Sequence, residues 1–217
     1  MRRSGLRSIS LLVLLCGSLG AADAPKKLLP KDDIPRCPEA LAFRNDLISA
    51  IVRRDRGFIR NMLHPNVKVS FGGESGPEDF EAHWKLDDSS SEFWDAMAEL
   101  LALGGSVTPK CMGFVAPYVF SEWPEEYDAF EHGVIVGSQV RLRSAPSLDG
   151  LIIGALSFDI VQWVPDDKEV PGWVGVETLD GKRGYVADRY VRSPITYRAI
   201  FTKTEGRWYL TALVAGD

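Results

Sequence analysis

Val140-Arg141-Leu142-Arg143-Ser144-Ala145-Pro146-Ser147 opens the stretch whose reading decides how this chain folds. Ile152-Ile153-Gly154-Ala155-Leu156 and Trp173-Val174-Gly175-Val176 continue it, and Asp180-Gly181-Lys182-Arg183-Gly184-Tyr185-Val186 closes it with Tyr190-Val191. Apolar residues recur with a period of two, which puts them on one face of a pleated strand. Asp149-Gly150 and Asp180-Gly181 supply the backbone freedom of tight turns. Residues 134–194 therefore read as a small all-β unit, with Asp166-Asp167-Lys168-Glu169 as a charged hairpin tip.

Outward from it, residues 195–217 read as one more hairpin. Tyr197, Ala199 and Phe201 lead to the Glu205-Gly206 turn, and Trp208, Leu210, Ala212 and Val214 return. Residues 37–133 are mixed. Leu47, Ile48, Ile51 and Val52 follow the helical period, as do Phe58, Ile59, Met62 and Leu63. Two helices are predicted, with a break near Arg54 to Gly57 that Asp55 can cap and a stop at His64-Pro65-Asn66. Val67, Val69 and Phe71 alternate as a strand, and Gly72-Gly73-Glu74-Ser75-Gly76 follows as a loop. Phe80 and Trp84 lie four apart on a short helix. Ser89-Ser90-Ser91-Glu92 has the pattern of a capping box opening a helix that carries Phe93, Trp94, Met97, Leu100 and Leu101. Residues 107–127 read as irregular and rich in aromatics. Residues 25–36 hold Pro25, Pro30 and Pro35 and read as an extended leader.

Residues 1–24 have the order of a secretory signal: Arg2, Arg3 and Arg7, an apolar run from Ile9 to Cys16, then Ala22-Asp23-Ala24. That run is too short to cross roughly 30 Å of hydrocarbon as a helix, although an uncleaved anchor is the competing reading. The general secretory route is expected, with a periplasmic or extracellular destination and no integral membrane span after cleavage. Losing three arginines and one aspartate takes the net charge from −5 to −7. An acidic chain argues against nucleic acid and anionic membranes as partners. Cleavage leaves Cys37 and Cys111, for which export makes a disulfide the default and two separate thiols the alternative.

The 134–194 run resembles bacterial SH3-like (SH3b) domains, over a little more than a quarter of the chain. The resemblance rests on Arg143-Ser144-Ala145-Pro146-Ser147 together with the element from Trp173 to Val186 that contains Asp180-Gly181-Lys182-Arg183-Gly184-Tyr185-Val186. It implies a small β-barrel, whose rim aromatics stack on peptide or sugar, and cell-wall peptide is a common ligand of the family. Two departures stand out. Arg141 replaces a small polar residue, and the Trp163 to Pro171 insert lengthens one loop and adds acid. The flanking segments, with Ala50, Arg53, Arg54 and Asp55 before residues 67–71 and then 197–217, are weakly similar to the ends of NTF2-like cone folds. The fold class expected is α+β: an N-terminal helical and mixed region, a small SH3-like β-barrel and a C-terminal β-hairpin. That hairpin either extends the barrel sheet or packs on the N-terminal region.

Chemistry finds little support. The three histidines, His64, His83 and His132, lack zinc spacing, and the Gly72 to Gly76 loop lacks the Lys-Ser/Thr of a phosphate loop. His83 with Asp87 four residues on is the one pair with the makings of a base, and such pairs are usually structural. The chain is expected to be a monomeric, exported, non-catalytic binding protein of the cell envelope. No cofactor and no metal are expected, and the partner is a cell-wall peptide or an envelope protein. Trp163, Trp173, Tyr185 and Tyr190 are the candidate contacts, and Arg143 is a scaffold residue. Two alternatives stand beside this. One is a small-ligand or hydrolytic pocket built from Phe71, the Gly72 to Gly76 loop, His83 and Trp84. The other is a structural or inhibitory partner of an envelope enzyme.

Overall fold

Arg54 takes left-handed backbone (φ 50°) and divides the first helical run into α1, Pro38–Arg53, and α2, Arg56–Met62. The Asp55 carboxylate accepts the Phe58 N–H at 3.0 Å and so caps α2. The structure, a computed structural model, describes residues 26–165 and 170–216. The expected signal peptide and the tip at 166–169 lie outside the described residues. The remaining elements are β1 (Leu63–Lys68), α3 (Pro77–Trp84), α4 (Phe93–Ala102), β2 (Ser106–Val107), β3 (Gly113–Ala116), α5 (Tyr118–Ser121) and β4 (His132–Ile135). After them come β5 (Val140–Arg143), β6 (Ile152–Leu156), β7 (Ile160–Trp163), β8 (Trp173–Thr178), β9 (Arg183–Ala187), β10 (Val191–Arg192), β11 (Arg198–Thr204) and β12 (Arg207–Val214). The chain is α+β, with two sheets.

The first sheet runs β1-β12-β11-β3-β2. Its centre is the C-terminal hairpin: β12 pairs in parallel with β1, and β11 pairs antiparallel with β3. Helices α1, α3 and α4 bury Leu47, Phe80, Trp84, Phe93 and Met97 in one core with Phe114, Phe201, Leu210 and Leu213 of the sheet. Phe114 and Phe201 stack at 4.5 Å and Phe43 lies over Trp208 at 5.4 Å, offset geometries that aromatic pairs favour. Cys37 and Cys111 are bonded, with 5.8 Å between their Cα atoms, and tie the start of α1 to the segment before β3. This bond is compatible with an oxidising compartment.

The second sheet runs β10-β4-β7-β8-β9-β5-β6. Its apolar face buries Leu142, Val161, Val176 and Val186. Gly181 sits at φ +85° in the β8–β9 turn, where Asp180 accepts the Thr178 hydroxyl at 2.5 Å. Gly184 is required for another reason: a Cβ there would lie 2.7 Å from the Arg143 carbonyl. No closed barrel is seen. The short β10 pairs only with β4, so β10 and β6 remain as edges with no ladder between them among the described residues.

The leader spans the two sheets. Ile160 N–H donates to the Lys26 carbonyl and Leu28 N–H to the Phe158 carbonyl on one side, while Asp33 N–H reaches the Gly105 carbonyl on the other. A small core of Leu28, Tyr118, Val119, Val134 and Ile160 fills the junction.

Four local expectations change. The strand expected over 67–71 starts at Leu63, because the parallel partner β12 takes up Leu63 and Lys68 across a bulge, and Phe71 falls outside it. The stretch 107–127 is not irregular, since β3 pairs with β11 inside the first sheet. The capping box does not form: Glu92 is the N-cap without a side-chain cap bond, and the Ser91 hydroxyl instead donates to the Trp84 carbonyl at 2.6 Å. Asp87 does not share a helix with His83, because α3 ends at Trp84 with Lys85 in left-handed backbone.

Candidate functional site

Trp173 begins β8 opposite Ala187 of β9, and Gly175 lies opposite Tyr185, so the β8–β9 ladder brings both aromatics to the same end of the sheet. Two clefts meet there. The first, about 540 Å³, is lined by Trp173, Tyr185, Pro146, Pro165 and Pro171, with Asp188 at its border. The second, about 420 Å³, is lined by Trp173, Tyr190, Val140, Leu148 and the arginines Arg141, Arg143 and Arg189. Trp173 is the wall common to both. Tyr190 is 39 % exposed on a short 3-10 turn, Asp188–Tyr190, and the Arg189 guanidinium lies 5.0 Å from its ring centre.

Three of the four candidate aromatics thus border these clefts. Trp163 lines neither. Its ring lies where a Cβ on Gly133 would come within 2.3 Å, and it packs on the core of the second sheet. Arg143 is 7 % exposed, and its Nη1 donates to the carbonyls of Leu148 at 2.7 Å and Gly150 at 2.8 Å. It holds the loop that brings Leu148 to the second cleft, as a planar fork does well. Sequence reasoning missed Arg141, Arg189 and Leu148 as cleft residues. A signal existed for Arg141, which is the departure from the SH3b pattern. Leu148 and Arg189 carry none, because only the folded loops bring them to Trp173.

The residues of the alternative pocket do not converge. Phe71 is 52 % exposed and lies against Arg198, 5.0 Å from ring centre to guanidinium carbon. Neither it nor the glycine loop borders the 290 Å³ hollow where His83 and Trp84 meet Tyr197, Ser91 and Glu92. There His83 Nε2 lies 3.3 Å from the Tyr197 hydroxyl, whose pKa is raised by burial and then by Glu92. Asp87, the proposed orienter of His83, is instead held by Arg60 at 2.9 Å. Among the described residues, no three His, Cys, Asp or Glu side chains converge as metal ligands. No helix among them is long and apolar enough to cross a membrane.

No protein-family model matches the chain, and no curated protein matches it in sequence.

Proposed function

We propose that this is an exported, non-catalytic binding protein of the cell envelope, and that the SH3-like part of the chain, residues 134–194, holds a peptide of the cell wall in the clefts that meet at Trp173. The observation that carries the reading is the shared position of Trp173. One indole plate separates two clefts that each have a second aromatic, Tyr185 in one and Tyr190 in the other. An extended peptide rises about 3.3 Å per residue, and its alternate side chains enter successive hollows along a groove. Aromatic plates give it large contact area at little entropic cost. Export through the general secretory route, with removal of residues 1–24, would put this surface and the Cys37–Cys111 bond in the compartment where wall peptides are found.

Co-sedimentation of the chain from Pro25 onward with isolated cell-wall sacculi tests this. Wild type should pellet with sacculi, and Trp173→Ala should lose at least about tenfold in affinity while its circular dichroism is unchanged, as expected for a central aromatic contact. Wild-type protein that stays in the supernatant, or a Trp173→Ala protein that binds like wild type, contradicts the reading.

A further inference from the structure

The second cleft carries positive charge in a chain whose net charge is −5. Arg141, Arg143 and Arg189 all line it, and no acidic side chain does. None of the three forms an ion pair with a carboxylate among the described residues. Arg143 spends its Nη1 on two loop carbonyls, at 2.7 and 2.8 Å, and is almost wholly buried. Arg141 is exposed on β5 between buried Val140 and Leu142. Arg189 lies over the Tyr190 ring. The nearest acid in sequence, Asp188, accepts the Arg189 backbone N–H at 2.6 Å. Elsewhere the protein pairs its cations readily: Arg44 with Asp32, Arg60 with Glu81 and Arg183 with Glu177 all lie at 2.6 Å. Arg143 is the buried one of the three, offset in part by its two loop carbonyls, whereas Arg141 and Arg189 are exposed and free to reorient towards a ligand. Among the described residues, none of these three guanidiniums meets the anion that such groups recognise best, a planar carboxylate.

Resting on the binding role given above, we propose that the second cleft is a subsite for the C-terminal carboxylate of a short peptide, held by Arg141 and Arg189 over the Arg143 floor. The charge complementarity sets the ligand's sign. The volume sets its size: 420 Å³ lies in the small-ligand range of roughly 300–1,000 Å³, room for a peptide end and not for a folded partner. Leu148, 75 % exposed, and the Tyr190 ring supply an apolar wall for the last side chain. The Trp173 indole N–H makes no hydrogen bond among the described residues, which leaves it to donate to a peptide carbonyl. Arg141, the residue that departs from the SH3b pattern, is on this view what gives the chain its own ligand preference.

The test is calorimetric titration of the chain from Pro25 onward with N-acetyl-pentaalanine, as the free acid, as the C-terminal amide, and as an amide carrying one internal glutamate. The free acid should bind at least about tenfold more tightly than either amide, the loss expected for a charge-assisted contact. Its affinity should fall as ionic strength rises to about 1 M, where charges are screened beyond roughly 3 Å. Arg141→Gln and Arg189→Gln should each remove most of the preference for the acid. No binding of the acid, equal binding of acid and amide, or variants that keep the preference would overturn the proposal, and a glutamate-bearing amide as tight as the acid would overturn the terminal assignment. Co-sedimentation with sacculi separates the two readings. Wild-type wall binding without any acid preference sinks only this subsite, whereas no wall binding at all sinks the role on which it rests.

Discussion

Tyr118 lies in the junction core at 1 % exposure, and its hydroxyl has no hydrogen-bond partner among the described residues. Burial pushes its pKa up to about 12 because the phenolate is the form that suffers from desolvation. The folded state therefore holds this proton more tightly than the unfolded chain, whose tyrosines titrate near pH 10. Stability is fully present below about pH 10 and is lost as pH rises towards about 12, with Tyr197, also raised by burial, acting in the same direction. Tyr118→Phe should leave stability at neutral pH within about 1 kcal/mol of wild type, since it deletes an unsatisfied group, and should make the alkaline decline shallower. Urea melts at several alkaline pH values read both effects. Trp163 makes the opposite case. Wedged over Gly133 and away from the clefts, it should cost about 2–3 kcal/mol of stability as Trp163→Ala while ligand affinity per folded molecule stays unchanged. A Trp163→Ala protein of full stability and weakened binding would return that residue to the binding surface.

Among the elements, the C-terminal hairpin has the largest consequence. Glu205 and Gly206 both adopt positive φ, 51° and 80°, which makes the tight turn that the sequence marks. The two strands then enter the middle of the first sheet, between β1 and β3. A stop codon after Pro194 should therefore leave no cooperative unfolding transition for the 37–133 region, as read by circular dichroism. If that region still melted cooperatively, the hairpin would be an accessory. The turn at Glu205-Gly206 was legible because alternation and a glycine are local signals. The partner strands were not. β3 is four residues long between Met112 and Pro117, and nothing local separates Gly-Phe-Val-Ala from an aromatic loop until β11 is beside it. Helices α1 and α2 could be read from periodicity and from the Asp55 cap, whereas the Ser89-to-Glu92 pattern misled because the Ser91 hydroxyl donates back to the Trp84 carbonyl and Glu92, the N-cap itself, makes no side-chain cap bond. The candidate site divides in the same way. Trp173 and Tyr185 could be placed from one hairpin, but Leu148 and Arg189 reach the cleft only through loops whose course depends on Arg143.

At the scale of the whole molecule, two sheets of different order are joined by the leader and the junction core, and one disulfide braces the first of them. The Cys37–Cys111 bond closes a loop of 74 residues' separation, and in the chain-entropy view such a bond stabilises by about 4 kcal/mol. Urea melts with and without reductant should differ by about that amount, and coincident curves would show the bond to be energetically idle. The first sheet has a filled aromatic core, while hollows of about 540 and 420 Å³ lie on the second sheet, and the proposed function accordingly divides the molecule into a scaffold and a binding surface. The most direct test of that division is amide hydrogen exchange of the chain from Pro25 onward, with and without solubilised cell-wall peptides. The account predicts slowed exchange confined to the segments that border Trp173, namely residues 137–143, 172–175 and 185–190. Slowed exchange at residues 83–92 and 197 instead, with the Trp173 clefts unchanged, would contradict it.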